Sequence, residues 1–257
     1  MTDEGGVTPT AGVVGDAGRV TDALSAAGLD PVEGETDAVL ASDPSVAVAV
    51  GERALATIAR RNHSVPILPV GAGRGVRSVP PGAVEAAAER LAAGDLRVET
   101  HPVLGLEWPG GRADAFLDAM LVTAEPADIS EFAVRADGEH VARFRADGVV
   151  AATPAGSPGY ARTAGGPVAS PGLEVLVVVP VAPFATTLDH WVVPLGDVTI
   201  TVERDEAPVE MLADDRSVGA APVGDPVRLV PTGQVTLVRL PAGLSPFGRR
   251  DAELEKL

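Results

Sequence analysis

The chain has 257 residues, a formal net charge of −16 and no cysteine. That length makes one large domain or two modest ones, and with 46% hydrophobic but only 3% aromatic residues the core must be built from Ala, Val and Leu. Disulfides, thiolate catalysis and cysteine zinc sites are excluded, and an acidic surface opposes nucleic acid and anionic membranes, which gain nothing from meeting more carboxylates.

In chain order, residues 11–14 form a short apolar run, and 19–27 carry a helical pattern closed by Gly28. Residues 45–50 are a second apolar run of strand length that enters a turn at Gly51, followed by a helical segment over 54–61. Residues 66–70 make a third strand ending at Gly71, and 83–93, rich in Ala and Glu, a further helix. Strands alternating with helices at this spacing predict an α/β fold with a parallel, Rossmann-like sheet.

After about residue 97 the rhythm changes to short strands. Val98, Thr100 and Val103 begin the series, which continues over 132–134, 141–144, 149–152, 173–179, 198–202, 227–230 and 235–240. Gly, Pro and Asp-Gly turns punctuate them, and Asp137-Gly138 between two alternating runs is a hairpin signal. Residues 113–122 read as an amphipathic helix or a strand edge, from the spacing of Phe116, Leu117, Met120 and Leu121. The first ten residues, the Pro109-Gly110-Gly111 loop and the charged tail after Pro246 look loosely held. An all-β second half is therefore expected behind the α/β half.

The charge is unusual in kind as well as size: Lys256 is the only lysine, so the basic side is almost all arginine. Acidic excess with so little lysine is typical of a salt-adapted, haloarchaeal-type proteome, where molar salt shortens the Debye length to roughly 3 Å and screens carboxylate repulsion. An acidic protein from a GC-rich mesophile is the alternative. No N-terminal stretch has signal-peptide character, and the apolar run 175–181 is too short to span a bilayer, so a cytoplasmic protein is expected.

The most informative stretch runs Asp147-Gly148-Val149-Val150-Ala151-Ala152-Thr153-Pro154-Ala155-Gly156-Ser157-Pro158-Gly159-Tyr160, followed by Ala164-Gly165-Gly166-Pro167. A short apolar run enters a Thr-Pro turn, then a glycine-and-hydroxyl loop, then a glycine pair. Glycines let a backbone approach a ligand closely, and successive N–H groups in such a loop cradle anions. The pattern resembles the signature of the ATP-dependent NAD kinase family, whose usual form reads DG-apolar-apolar-x-x-TPTGSTAY-x-x-SAGGP. The resemblance is dense over 147–194, where residues 177–183 and Trp191-Val192-Val193-Pro194 continue it.

The resemblance implies a Rossmann-like α/β domain over 1–97, a β-rich nucleotide-binding domain over 98–240, and a C-terminal segment over 241–257 that returns to the first domain, with the active site between the domains. It implies transfer of the ATP γ-phosphoryl to the adenosine ribose 2′-hydroxyl of NAD, giving NADP. ATP, NAD(H) and Mg²⁺ are the implied cofactors, small-molecule nucleotides the implied partners, and a homo-oligomer, dimer or tetramer, the implied assembly.

Carried over residue by residue, the family's Gly-Gly-Asp-Gly-Thr turn falls on Val50-Gly51-Glu52-Arg53-Ala54. Gly51 then belongs to the nucleotide turn and Glu52 is the catalytic base, on an arm one methylene longer than the family's aspartate. From the residues alone the segment is equally an ordinary strand-to-helix turn, its acidic residue favoured by the helix dipole. The family's Asn-Glu pair falls on Asp118-Ala119, leaving Asp118 as a ribose contact and no glutamate. Thr153, Gly156, Ser157, Tyr160, Gly165 and Gly166 match the nucleotide loop, while Ala155 and Pro158 each remove a hydroxyl. The loop Gly71-Ala72-Gly73-Arg74-Gly75 departs from the family's Asn-bearing version, and Arg74 and Arg77 have the guanidinium geometry that suits phosphate.

No metal-ligating spacing links His63, His101, His140 and His190, and there is no Walker A sequence or Gly-x-Ser-x-Gly elbow. Departures at Arg53, Gly71, Ala119 and Pro158 concern one site, so the alternative function is a non-catalytic nucleotide-binding paralogue with a regulatory role.

Overall fold

Alternating apolar runs and short helices place strands β1 (Thr10–Gly15), β2 (Asp30–Glu33), β3 (Val46–Val50) and β4 (Ile67–Val70) parallel in the order β2-β1-β3-β4. The computed structural model describes residues 9–61, 64–125, 128–185, 189–205, 207–241 and 243–247. His63, the first eight residues and the tail over 248–257 lie outside them. The chain forms two compact units, one holding the chain up to Thr100 together with Val235–Ser245, the other holding His101–Gln234 together with the chain from Pro246.

In the first unit, helices α1 (Gly18–Ala26), α2 (Thr36–Ala41), α3 (Glu52–Arg60) and α4 (Val84–Ala92) alternate with the strands. Val20, Leu24, Val84 and Leu91 of α1 and α4 pack on Val13, Val48, Leu68 and Val70. The alternate strand residues Ala47, Ala49 and Ile67 are also fully buried, because the opposite sheet face is covered too. There Gly12 lets α2 lie close, since a Cβ on it would fall 2.4 Å from Val39 Cγ1. A parallel sheet buried on both faces explains why these strands are continuous Val/Ala runs with no polar alternation. The order reverses between β1 and β3, so the strand ends at Gly15 and Gly51 flank a topological switch point.

The second unit is built from β5 (Arg97–Trp108, its residues to Thr100 belonging to the first unit), β6 (Gly111–Ala115), β7 (Asp118–Thr123), β8 (Ser130–Ala136), β9 (Glu139–Ala152), β10 (Val175–Pro183), β11 (Trp191–Pro194), β12 (Val198–Arg204), β13 (Val209–Ala213), β14 (Arg216–Ala220) and β15 (Pro226–Arg239, its residues from Val235 belonging to the first unit), with one helical turn, α5 (Tyr160–Thr163). Its strands follow the order β14-β13-β7-β9-β8-β12-β15; β10 also pairs with β9 and carries β11, and β6 pairs with β5. The last residues of β15, which belong to the first unit, run beside its β4, Leu237 opposite Ile67. The core gathers Leu104, Phe132, Ile200, Met211 and Leu229, and Phe144 stacks on Trp191 at 5.8 Å. A smaller cluster of Val150, Ala152, Ala161, Val177 and Val179 joins β9, β10 and α5.

The Asp137-Gly138 hairpin forms as expected, with φ of 49° and 79° at the two residues, the left-handed pair that a two-residue turn requires. Residues 113–122 form strand and bend, not helix: β6 ends at Ala115, Phe116 and Leu117 make a bend, and β7 follows from Asp118, burying every second residue. The Pro109-Gly110-Gly111 loop is not loosely held. It is the tip of the β5–β6 hairpin, and the Trp108 indole packs over both glycines. No helix among the described residues is long and apolar enough to cross a membrane.

Candidate functional site

Gly51 ends β3 and caps α3 in a conformation that L side chains rarely adopt, φ 90°. Its N–H donates to Val70 O at 2.8 Å, tying the end of β3 to the end of β4, and its carbonyl accepts the Leu55 N–H at 3.2 Å. Glu52 is therefore the first residue of α3, where a carboxylate interacts favourably with the helix dipole. Its carboxylate lies over the loop after β4: a Cβ on Gly73 would stand 3.3 Å from Glu52 Oε2. That loop is fixed from below by the fully buried Ser78, whose Oγ accepts the Ala72 N–H at 2.8 Å, and by Gly71 N–H donating to Val79 O at 2.9 Å. Gly71 has φ 61°, a value asparagine also tolerates, so the change from the family's asparagine leaves the backbone path intact. Sequence-predicted Gly51, Glu52 and the Gly71–Gly73 turn thus come together at the carboxyl ends of two parallel strands.

In the second unit, Thr153 and Ser157 are both wholly buried. The Thr153 hydroxyl donates towards Phe116 O (2.8 Å) and Leu117 O (3.0 Å), and its oxygen accepts the Gly156 N–H at 3.3 Å. The Ser157 hydroxyl donates to Pro154 O at 2.9 Å and accepts the Ala169 N–H at 2.9 Å. Both hydroxyls are engaged inside the protein, so they shape the loop. Gly156 is required by proximity, because a Cβ there would lie 2.1 Å from the Leu117 carbonyl oxygen. The same loop therefore grips residues 116–117, immediately before half-buried Asp118 at the start of β7.

Tyr160 begins α5 and keeps 47% of its surface exposed. Gly166 packs tightly, with a Cβ position 2.5 Å from Val179 Cγ2, while exposed Gly165 lies under the His190 ring, 3.1 Å from its Cε1 by the same measure. His190 had no motif to mark it in the sequence, and neither did Asp214. The Asp214 carboxylate accepts the N–H groups of Phe116 (2.9 Å) and Leu117 (2.7 Å), and its own N–H donates to Asp118 O at 2.9 Å. An Asp-Asp pair between two strands is a turn signal, and that was the available clue to Asp214. Ala119 on β7 is fully buried in the core of the second unit.

Residues 118–234 match the family model of the ATP-NAD kinase C-terminal domain. The chain is 35% identical over 190 residues to an NAD kinase of Gemmatimonas aurantiaca, covering 70% of this chain and 65% of that protein. It is 32% identical over 201 residues to an NAD kinase of Nitratidesulfovibrio vulgaris, covering 74% and 67%. The crystal structure of an NAD kinase from Archaeoglobus fulgidus in complex with ATP superposes with a TM-score of 0.72 at 24% identity, covering 89% of this chain and 92% of that one. The chain belongs to the NAD kinase family. The matched region spans just under two thirds of the Gemmatimonas protein's length.

Proposed function

We propose that this protein phosphorylates NAD at the adenosine ribose 2′-hydroxyl, using ATP and giving NADP. The observation that carries the reading is the Glu52 carboxylate over Gly73, at the carboxyl ends of β3 and β4, where open α/β sheets bind ligands. Glu52 takes the hydroxyl proton as the phosphoryl group transfers. Asp118 contacts the ribose. Thr153 and Ser157 hold the nucleotide loop in shape, and the exposed Tyr160 ring and the backbone at Gly165 and Gly166 meet the nucleotide. The donor set suits NAD and ATP: a carboxylate for the ribose hydroxyl, and glycine turns that leave room for phosphates. Among the described residues no three His, Cys, Asp or Glu side chains converge as a metal cage. Mg²⁺ in this reading is held mainly by the phosphates and water, which is its usual mode in phosphoryl transfer, and it neutralises charge there.

The environment belongs to the same proposal: a salt-adapted cytoplasmic homo-oligomer. The net charge of −16 supports salt adaptation. An exposed Val192 on β11, which pairs only with β10 among the described residues, supports assembly through that edge.

The test is NADP formation from NAD and ATP in molar KCl, with Glu52→Gln and Glu52→Asp beside the wild type. A general base contributes about 10²–10⁴-fold, so Glu52→Gln should lose at least roughly 100-fold in kcat while NAD affinity stays within about threefold. Undiminished turnover in Glu52→Gln removes Glu52 from the role. Wild-type protein that binds NAD but gives no NADP overturns the kinase reading in favour of a non-catalytic nucleotide-binding protein.

A further inference from the structure

We propose that the first unit carries a separate binding site for a small organic polyanion, in a cleft of about 330 Å³ walled by Arg77, Arg97, Arg239, Leu96 and Leu240. None of Gly51, Glu52 or Gly73 lines it. In a chain of net charge −16, three guanidinium groups around one concavity are out of keeping with the rest of the surface. The cleft's one carboxylate, Asp95, is already held by Arg90.

Several exposed arginines elsewhere on this protein stand singly or find carboxylates: Arg19 pairs with Glu85, Arg61 with Asp37, Arg143 with Glu131 and Arg228 with Asp197, while Arg135, Arg162 and Arg204 stand apart from one another. Among the described residues no carboxylate pairs with Arg97 or Arg239. Arg77 has one at hand, Glu99 Oε2 at 3.3 Å from its Nε, yet that buried Nε makes no hydrogen bond because the carboxylate lies off its N–H direction. Three like charges gathered with so little internal compensation are complemented from outside.

Arg77 is also held in an unusual way. Its φ is 50°, a left-handed conformation uncommon for a residue with a side chain. The segment after β15 clamps it there: Leu244 N–H donates to Ser78 O at 3.0 Å, and Gly243 passes so close that a Cβ on it would stand 2.4 Å from Arg77 O. Strain of this sort marks a side chain whose direction is being enforced. Arg97 opens β5 and Arg239 closes β15, so the cleft joins the strand by which the chain leaves the unit to the strand by which it returns.

The ligand class follows from the walls. Guanidinium groups offer paired donors to phosphate or carboxylate oxygens, and the site has room for at least two such groups. Leu96 and Leu240 give a carbon skeleton something to lie against, and the volume matches the small end of metabolite sites. A ligand bridging the two strands stabilises the unit by mass action.

Calorimetry on the full chain, with pyrophosphate and citrate as probes in moderate KCl, tests the site. Binding of pyrophosphate alone assigns phosphate chemistry, binding of citrate alone carboxylate chemistry, and both a general polyanion site. The double variant Arg97→Gln/Arg239→Gln should weaken binding at least tenfold, Arg97→Lys/Arg239→Lys by less, and Arg204→Gln on β12 not at all. Circular dichroism checks that each variant is folded. The proposal is overturned if neither probe binds, if the double variant binds as tightly as Arg204→Gln, or if KCl at matched ionic strength reproduces the whole effect.

Discussion

Asp214 and Leu117, distant in sequence, meet through a hydrogen bond of 2.7 Å from the Leu117 N–H to the Asp214 carboxylate. The same oxygen accepts the Phe116 N–H at 2.9 Å, and Asp214 N–H returns a bond to Asp118 O. Three consecutive residues leading into β7 are thus held by one side chain and its own amide. Asp214→Ala leaves two amides without that acceptor and puts alanine at φ 55°. The expected loss is about 1–3 kcal/mol. Asp214→Asn keeps an acceptor and suits the left-handed conformation, so it should lose less. Denaturant unfolding of both variants checks the order; equal stability of wild type and Asp214→Ala would contradict the clamp. NAD affinity should follow the same order, because Asp118 sits at the clamped end.

Thr153 grips the same residues from the carbonyl side. Thr153→Val keeps the shape and removes the hydroxyl that reaches Phe116 O and Leu117 O. In a fully buried setting this should cost about 1–3 kcal/mol, whereas Thr153→Ser retains the hydroxyl and should cost less. A Val variant as stable as the Ser variant would mean the hydroxyl does not hold the loop.

Gly156→Ala addresses the loop from its backbone. The added methyl would meet the Leu117 carbonyl oxygen, which belongs to a clamped segment that cannot retreat. Overpacking of this kind costs typically about 1–3 kcal/mol and distorts what it touches. Weaker binding of NAD or ATP is expected together with a lower melting temperature, both measured on one preparation. Unchanged values for both would show that the loop can move away from Leu117.

What could be read in advance follows from how each segment is buried. β1, β3 and β4 are legible because a two-sided parallel sheet demands unbroken apolar runs. β2 escapes because it is an edge strand, Asp30–Glu33, with half-exposed and exposed residues and a proline. α2 escapes because six residues carry too little periodicity. Residues 113–122 fit a helical spacing as well as a strand because β6 ends and β7 begins within them, and the interruption mimics the helical period. At the site, Gly51, Glu52 and the Thr153 loop are marked by local motifs. Asp214 acts across almost a hundred positions, on backbone groups that leave no trace in residue type, and only the folded chain joins them.

The exposed ion pairs give a pH dependence of definite sign. The hydrogen bond from Arg61 holds the Asp37 carboxyl below the usual range, and the hydrogen bond from Arg19 does the same for Glu85, helped by a bond to the residue's own backbone. A carboxylate depressed on folding contributes stability that is present above its unfolded pKa, about 4, and lost as pH falls through the folded value. Arg61→Gln and Arg19→Gln should therefore lower the melting temperature slightly at pH 7. The gap to wild type should shrink as pH falls below about 4 and also in molar salt, since both pairs are open to solvent. A gap that widens in acid would reverse the assignment.

Salt should act on the whole molecule in the opposite direction to its effect on those pairs. With 36 acidic residues against 20 basic ones, the folded chain concentrates like charge that the unfolded chain spreads out. At 0.01 M salt the Debye length is about 30 Å, so carboxylates across a unit repel one another; at 1 M it is about 3 Å, and only contact pairs still interact. The pairs weakened by screening are open to solvent and contribute little each, whereas the repulsion relieved involves the entire surplus of 16 charges. Stability should therefore rise from dilute buffer to molar KCl. Thermal unfolding across a KCl series measures the balance, with tetramethylammonium chloride as a second series to separate screening from specific potassium binding. Parallel rises in both salts identify screening as the cause. A rise in KCl alone would point to bound potassium, and a flat profile in both would remove salt adaptation from the account of this composition.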